Sequence, residues 1–418
     1  MSNRVADYVR RLVPDLTATR FQEVILGLLP LLLGGQLLLW VVLLPVGLRG
    51  DADFGMFYTA GFMVRAGHSR QLYDYDAETR FQKALVSKTP APYTHLPYEA
   101  LLFDPVSMLS YRTAYLAFVV FNLGLVVLAV WRIQVPVEHR WLAAAIFASY
   151  FPISAAIADG QDSIILLLIT GVAWWLFSQR QEWFAGGLLA LGLFRFQIVL
   201  PIAGLMFLWK RWRFVAGFAV GTAAVLFLST WVAGIDQMRI YGAHLISLSA
   251  VAAPEAGYSL SQSQSQRMVN LRAFFANVLP GAHAPGVVTL IASLALLLWV
   301  AKRGRAIGRK HQFALTVAFS VLVSYHLFVY DLTILLIPMM AALGLAEQGE
   351  SRAAKTAVLI PLLAVPVGLL WRPFLMALPL LAFLLAITRA FGAQTDSGRG
   401  ELVKNEDCSA VDVARLPG

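Results

Sequence analysis

The chain contains several apolar runs that are long enough to cross a membrane, and this feature restricts its fold more than any other. The run at 24–48 carries no charged residue, and a second long run occupies 213–234. About 18 or more consecutive apolar residues suffice to cross a hydrocarbon core of about 30 Å. Of the 418 residues, 59% are hydrophobic and 14% are charged, whereas soluble domains have about a quarter charged residues. The sequence therefore predicts an all-α integral membrane protein.

The apolar pattern predicts about twelve transmembrane helices in one domain that extends from residue 24 to residue 388. The predicted spans are roughly 24–48, 113–131, 141–157, 163–178, 183–194, 196–209, 213–234, 286–301, 312–328, 331–346, 356–371 and 373–388. The first run is too long for a signal-peptide core, so it is predicted to remain as a span. Residues 1–23 are predicted to be a cytoplasmic segment and residues 389–418 a disordered cytoplasmic tail. Two long outer loops are predicted at 49–112 and 235–285.

The distribution of basic residues predicts the orientation of these spans in the plasma (inner) membrane. With both termini in the cytoplasm and a hairpin turn around Arg195, most Lys and Arg residues lie inside, including the cluster at 302–310. A single crossing by 183–209 would place that cluster outside, against the positive-inside rule. The hairpin is therefore favoured. The net charge of +9 does not indicate nucleic-acid binding, because the basic residues flank apolar runs and form no binding face.

The two predicted outer loops have distinct patterns. In the first, Phe54–Arg65 is predicted to be an amphipathic helix that lies in the membrane interface. In the second, the Ser/Gln run at 259–267 reads as a low-complexity linker. The single cysteine, Cys408, excludes an intramolecular disulfide.

Several signals for nucleotide or metal chemistry do not occur. The sequence has no Walker loop, no G-x-G-x-x-G after a strand, no H-E-x-x-H and no cysteine cluster. Asp51 and Asp53 could suggest a metal pair, but hard cations need more oxygen ligands than this stretch supplies. We therefore predict no metal and no cofactor.

Polar residues concentrate at the predicted outer ends of the spans. Acids at a membrane edge are costly and are site hypotheses by default. Ordinary solvation of a helix end is the alternative, and it fits Asp51 better than Asp53. The group at the outer ends comprises Asp51, Asp53, Tyr58, His95, Asp159, Gln161, Asp162, Arg195, Gln262, Arg267, His326, Tyr330 and Asp331.

Two members of this group have competing explanations. Arg195 is either a snorkelling or helix-capping residue or a guanidinium donor to a phosphate. His326 and Asp331 lie slightly more than one helical turn apart. They form either a structural hydrogen bond or part of a catalytic site.

A set of short motifs occurs in order along roughly residues 50–340. The motifs are Asp53-Phe54-x-x-Phe57-Tyr58-x-Ala60-Gly61, Gly67, Leu72-Tyr73-Asp74, Tyr93 to Pro97, Pro105, Gly160-Gln161, Ala185-Gly186, Arg195, the Ser/Gln run ending at Arg267, Ser324-x-His326 and Tyr330-Asp331-Leu332. Together they resemble the polyprenyl-phosphate-dependent glycosyltransferases of family 87, which are multi-spanning enzymes of the GT-C type and include mannosyltransferases. Family members usually have Lys-Pro at Arg195-Phe196 and a paired Pro at Leu96-Pro97.

The resemblance implies an inverting transfer of a hexose, most commonly mannose, from a polyprenyl-phosphate sugar to a lipid or glycan acceptor at the outer face. Asp53 would be the general base, and His326 would support the base or contact the sugar. Arg195, with Arg267, would stabilise the leaving phosphate. The other substrate-binding residues implied are Gln161, Gln262, Tyr58, His95 and Asp331. The main alternative is a transporter or a lipid or glycan flippase, whose ionisable residues would lie near mid-depth between repeats; a polysaccharide ligase or polymerase and a purely structural membrane protein are the others.

Overall fold

The computed structural model describes residues 18–86, 92–133, 140–249, 262–279, 281, 284–348 and 351–393. Within these ranges every regular element is a helix, which confirms the predicted all-α class. The predicted segment 1–23 is described only from residue 18 and the predicted tail 389–418 only to residue 393. The remainder of both lies outside the described residues.

Nineteen α-helices follow one another along the described part of the chain. The first nine are α1 (Ala18–Leu48), α2 (Phe54–Arg65), α3 (Tyr75–Leu85), α4 (Pro97–Phe103), α5 (Tyr111–Arg132), α6 (Arg140–Ser149), α7 (Phe151–Ala158), α8 (Ser163–Ser178) and α9 (Glu182–Ala190). The others are α10 (Phe196–Leu208), α11 (Trp212–Ala233), α12 (Ile235–Ser249), α13 (Gln262–Arg267), α14 (Leu271–Val278), α15 (Ala284–Gly304), α16 (Arg309–Val323), α17 (Leu336–Glu347), α18 (Arg352–Trp371) and α19 (Pro373–Ala393), which begins with a 3₁₀ turn. Short 3₁₀ helices occur at Ser69–Gln71, Val106–Met108, Leu193–Arg195 and Val329–Leu335.

Six of the described helices are long and apolar enough to cross a membrane, and two bent helix pairs raise the number to eight. The predicted count of about twelve is not confirmed. The difference arises because several apolar runs form shorter or broken helices: α8 has 16 residues, and α16 ends at Val323 after 15. The six are Arg20–Leu48, Tyr111–Trp131, Trp212–Ala233, Ala284–Gly304, Val329–Glu347 and Pro373–Ala393.

Helices α9 and α10 form a re-entrant pair that turns near Arg195. Their axes differ by 68° across the break. The two ends of the pair meet again, because Arg211, just after α10, lies 3.6 Å from Glu182 at the start of α9. Arg309 at the start of α16 also donates to Glu182. The chain thus leaves one end of the bundle and returns to it, which agrees with the predicted turn and places the basic residues near 211 and 309 at the same end.

Helix α2 has the predicted bounds but not the predicted location. Nine of its 12 residues are buried, so it lies inside the protein and does not present an apolar face at the interface. Phe54 stacks on Phe118 of α5 at 5.2 Å, and Phe57 stacks on Phe103 of α4 at 4.8 Å. Gly61 permits this approach, since a Cβ there would lie 2.5 Å from the carbonyl of Phe103. The aromatic residues that suggested an interfacial helix instead form a core beneath the site.

The Ser/Gln run is described only from Gln262, and the described part is helical. Gln262–Arg267 forms α13, so the prediction of a linker is wrong for these residues. Residues 259–261 lie outside the described part of the chain.

Candidate active site

Five segments that are far apart in sequence converge at the end of the bundle opposite to Glu182. We call this the site end. Helix α8 connects the two ends, since its first residue follows Asp162 and its last turn contacts the basic region near 309. Sixteen residues at 1.5 Å each separate the two ends by about 24 Å. The converging segments are the α1–α2 junction, the loop before α4, the α7–α8 turn, the tip of the re-entrant pair and the start of the 3₁₀ helix Val329–Leu335.

Asp53 is held beside Asp159 by one side-chain amide. Gln161 Nε2 donates to Asp53 Oδ2 at 2.5 Å and to Asp159 Oδ2 at 3.3 Å. The backbone N–H of Asp53 also donates to Asp159 Oδ1 at 3.3 Å. Both carboxylates are half-buried, whereas Gln161 is fully buried. Asp53 occupies the N-cap position of α2 but makes no side-chain capping bond, so its carboxylate is not engaged by the helix that it precedes.

Gly160 brings the α7–α8 turn against α2. It has φ +66°, and a Cβ at this position would lie 2.5 Å from Phe54 Cβ. A left-handed conformation at such close approach is accessible to glycine without strain. The same turn lets the N–H of Phe54 donate to the carbonyl of Asp159 at 3.1 Å. The close contact between this turn and α2 therefore explains why a glycine precedes Gln161.

Arg195 lies at the tip of the re-entrant pair and bonds to partners from this chain. Its Nε donates to Asp162 Oδ1 at 2.9 Å, and one terminal nitrogen donates to the same oxygen at 2.5 Å and to Gln161 Oε1 at 2.6 Å. The other terminal nitrogen lies 3.6 Å from Asp331 Oδ1. The guanidinium carbon lies 5.5 Å from the centre of the Tyr330 ring. Arg195 thus connects three segments of the site.

A second buried group surrounds His95. Its Nδ1 lies 2.7 Å from Glu99 Oε2 and 3.4 Å from Asp162 Oδ2. Tyr98 of the same segment fixes the tip of the re-entrant pair, because its hydroxyl donates to Leu191 O at 2.7 Å and accepts from the N–H of Phe194 at 3.2 Å. The first long loop is therefore anchored to the residues around Arg195.

The pKa values of the carboxyl groups at the site are shifted in opposite directions. Burial and the neighbouring Asp159 raise the pKa of Asp53 to about 7, against the opposing effect of Arg195. Burial opposes ionisation of Asp162 as well, but Arg195 and His95 hold its pKa well below the usual range. Asp53 therefore exchanges a proton near neutral pH, whereas Asp162 stays ionised.

Glu99 and His95 show mutual effects. Burial raises the pKa of Glu99 to about 8, although His95 opposes the shift. Burial alone would lower the pKa of His95, but Glu99 and Asp162 raise it to about 9. The pKa values of both side chains are therefore higher than in water.

His326 is at the site end but is not bonded to Asp331. Its ring contacts Phe328 edge-on, with centroids 4.7 Å apart, while Asp331 accepts from the N–H of Phe328 at 3.0 Å and from Ser163 Oγ at 3.2 Å. The structural His–carboxylate bond considered from the sequence is therefore not formed. Burial, with Arg195 and Arg272, lowers the pKa of His326 to about 3, so its imidazole is neutral at pH 7.

Three predicted substrate-binding residues lie apart from the hydrogen-bonded residues around Asp53 and Arg195. Tyr58 is buried, and its hydroxyl donates to Leu109 O at 2.8 Å. Arg267 is exposed at the end of α13, and Gln262 is the first residue of that helix. Arg272, which the sequence did not single out, stacks 3.9 Å from the centre of the Tyr325 ring next to His326.

The structure thus joins five predicted residues in one network: Asp53, Gln161, Arg195, His95 and Asp331. Asp159 and Asp162 share the network, although the sequence assigned them no role. Glu99 was missed, and its only signal was the i, i+4 spacing from His95. Asp51 is exposed and outside the network.

The arrangement is suited to accept a proton from a substrate. Asp53 and Asp162 occupy the N-caps of α2 and α8, and Asp331 lies in the first turn of its 3₁₀ helix. Three helix N-termini therefore meet at these carboxylates, and their partial positive charges stabilise the ionised acids. A half-buried carboxylate with a raised pKa in such a network is a chemically competent general base.

Comparison with known proteins identifies the family. A family model described as glycosyltransferase family 87 matches residues 93–324, which is more than half of the chain. No curated protein and no solved structure matches. The match begins after Asp53, but it includes His95, Gln161 and Arg195, to which the structure connects Asp53. The chain therefore belongs to glycosyltransferase family 87.

Proposed function

We propose that this glycosyltransferase moves a hexose, with mannose as the first candidate, from a polyprenyl-phosphate sugar to a hydroxyl of a lipid or glycan acceptor. The reaction would invert the anomeric carbon and would occur at the outer face of the plasma membrane. The observation that carries the proposal is Asp53: the residue is partly exposed, its pKa is near neutrality, and Gln161 donates to one of its oxygens. The transporter alternative is not favoured, because the ionisable network lies at one end of the helices and the family is a transferase family.

The proposed chemistry needs one base. Asp53 would take the proton from the acceptor hydroxyl as its oxygen attacks the anomeric carbon, and the bond from that carbon to the phosphate oxygen would break. The transition state would resemble an oxocarbenium ion. A phosphate leaving group is already ionised at neutral pH, so it requires little acid assistance.

We propose a further candidate for the group that would receive the phosphate. Arg195 has its donors directed at Asp162, Gln161 and Asp331, so we assign it to positioning. Arg272 is half-buried beside Tyr325 and next to His326, and it is our candidate phosphate contact. Arg267, exposed on the preceding helix, and the neutral His326 remain candidates for contacts to donor or sugar.

A donor panel tests the proposal. Purified full-length protein in lipid nanodiscs is supplied with polyprenyl-phosphate mannose, polyprenyl-phosphate glucose or the corresponding nucleotide sugars, together with extracted envelope lipids. Mass spectrometry should show a gain of one hexose only with a polyprenyl-phosphate donor. Transfer from nucleotide sugars alone would contradict the proposed donor class. In a second experiment, envelope lipids are compared between cells with and without the protein. The lipid that loses the same hexose in cells without the protein would be the acceptor.

A further inference from the structure

Three side chains direct ligand atoms at one point on the buried side of the site. They are His95 Nδ1, a carboxylate oxygen of Glu99 and a carboxylate oxygen of Asp162, and all three lie within 4.8 Å of one another. Glu99 and Asp162 are fully buried, and His95 is 6% exposed. The three residues come from the loop before α4, from α4 itself and from the α7–α8 turn.

Two carboxylate oxygens at this point lack hydrogen-bond partners. Among the described residues, Glu99 Oε1 and Asp162 Oδ2 are buried without a hydrogen-bond partner, while His95 Nδ1 lies 2.7 Å from the other oxygen of Glu99. Buried polar atoms without partners are rare in native proteins, and a bound ion is one of the explanations for them. Here both carboxylates lie beside the same imidazole nitrogen, so one ion that replaces the proton between His95 and Glu99 would satisfy the three side chains together.

The charge balance points to a cation. The network contains three fully buried carboxylates, Glu99, Asp162 and Asp331, and one buried guanidinium, Arg195. Arg195 balances one of the three negative charges, and a proton on His95, which lies 2.7 Å from Glu99 Oε2, balances a second. Buried charges are costly unless they are paired or bind a metal, and a divalent ion that replaces this proton would balance all three carboxylates.

We propose that His95, Glu99 and Asp162 bind one divalent transition-metal ion. An imidazole nitrogen with two carboxylates suits Mn²⁺, Fe²⁺ or Zn²⁺ better than Mg²⁺ or Ca²⁺, which prefer oxygen alone. The second oxygen of Asp162 already accepts from Arg195 Nε at 2.9 Å, and such contacts orient metal ligands. The ion links the first long loop to the start of α8, so its binding does not depend on the identity of the sugar donor.

Metal binding to the full-length protein tests this proposal without any activity assay. Wild-type protein is dialysed against a chelator and then titrated with Mn²⁺ or Zn²⁺, and bound metal is quantified by mass spectrometry. We expect one ion per chain, ¹⁴N hyperfine coupling in the Mn²⁺ spectrum from the imidazole, and a rise in Tm with metal concentration, because a ligand of the folded state stabilises it. Mg²⁺ and Ca²⁺ should bind more weakly.

Matched variants locate the ion. Glu99→Gln and Asp162→Asn should lose stoichiometric binding, whereas Glu78→Gln should retain it. Glu78 is an equally buried glutamate of the same loop, outside the three-residue group. Wild-type protein that binds no stoichiometric Mn²⁺ or Zn²⁺ would overturn the proposal even if a variant fails to fold, and so would equal retention by all three variants. Equal affinity for Mg²⁺ or Ca²⁺ would overturn the class of metal.

Discussion

The side-chain amide of Gln161 donates to Asp53 Oδ2 at 2.5 Å. This contact joins a residue before the family-matched segment to one inside it, and Gln161 Oε1 in turn accepts from Arg195 at 2.6 Å. The Asp53 carboxylate, the Gln161 amide and the Arg195 guanidinium therefore form one chain of hydrogen bonds. Substitution of Gln161 or Arg195 should therefore change the position or the pKa of the Asp53 carboxylate.

The dependence of transfer on pH should report the proton on Asp53. Because the active form of a general base is ionised and the pKa of Asp53 is raised to about 7, kcat/KM should rise with pH through that region and level off above it. The groups facing Asp53 are Asp159, Arg195, His95 and Tyr330. Asp159→Asn removes a negative neighbour, so it should move the rise to lower pH. An unchanged pH profile in this variant would show that a group other than Asp53 sets the pH dependence.

Arg195 should act by positioning. Arg195→Lys keeps the charge but loses the planar fork that reaches Asp162, Gln161 and Asp331. Loss of a hydrogen bond to a charged group costs about 1.5–3 kcal/mol, so both Tm and kcat should fall. A large rise in donor KM with unchanged Tm would instead indicate direct contact with the phosphate.

Substitution of Arg272 should raise the donor KM and leave Tm unchanged, in contrast to Arg195→Lys. Because it is half-buried at the start of α14 and stacks on Tyr325, Arg272→Ala should leave Tm nearly unchanged. Loss of a charged hydrogen bond to the donor, about 1.5–3 kcal/mol, should raise donor KM roughly 10- to 100-fold. Steady-state kinetics with varied donor concentration checks this, and a wild-type KM would exclude Arg272 from the phosphate site.

Gly160 should be essential for the close contact between the α7–α8 turn and α2. Gly160→Ala adds strain at positive φ and a clash with Phe54, whereas Gly234→Ala adds strain at φ +87° with no atom within 4 Å. Overpacking costs about 1–3 kcal/mol beyond the strain. Tm should therefore fall further for Gly160→Ala than for Gly234→Ala. Equal losses in the two variants would contradict the packing described at the site.

The re-entrant pair can be tested by labelling. In a Cys408→Ser background, Arg180→Cys and Lys210→Cys lie at the two ends of the pair, and both should react with a membrane-impermeant maleimide from the same side. The physical reason is that Glu182 and Arg211 meet at 3.6 Å. Labelling from opposite sides would show that α9 and α10 cross the membrane together as one broken span.

Periodicity and residue type predicted those parts of the protein that depend on local sequence. The helical class, the bounds of Phe54–Arg65 and the turn near Arg195 all follow from apolar runs and charge distribution. The number of spans did not follow, because an apolar run such as that of α8 remains apolar when protein surrounds it instead of lipid. Hydropathy alone does not distinguish these surroundings.

The site was predictable only in part, for a similar reason. Asp53 and Arg195 stand out because a charge beside or within an apolar run has few structural explanations. Glu99 lies in a polar loop, where a carboxylate needs no special explanation, and only the tertiary fold places it beside Asp162. The pairing of Arg195 with carboxylates likewise depends on three segments that meet only in the folded protein.

The most direct test of the account is the activity of Asp53→Asn. Purified variant and wild-type proteins are compared in nanodiscs with a polyprenyl-phosphate sugar and the acceptor found in the donor panel, and Asp51→Asn serves as the matched control. A general base contributes about 10²- to 10⁴-fold, so kcat of Asp53→Asn should fall by that factor with little change in Tm, while Asp51→Asn, whose carboxylate is exposed, stays within a few-fold of wild type. Full transfer activity in folded Asp53→Asn would contradict the assignment of Asp53 as the base.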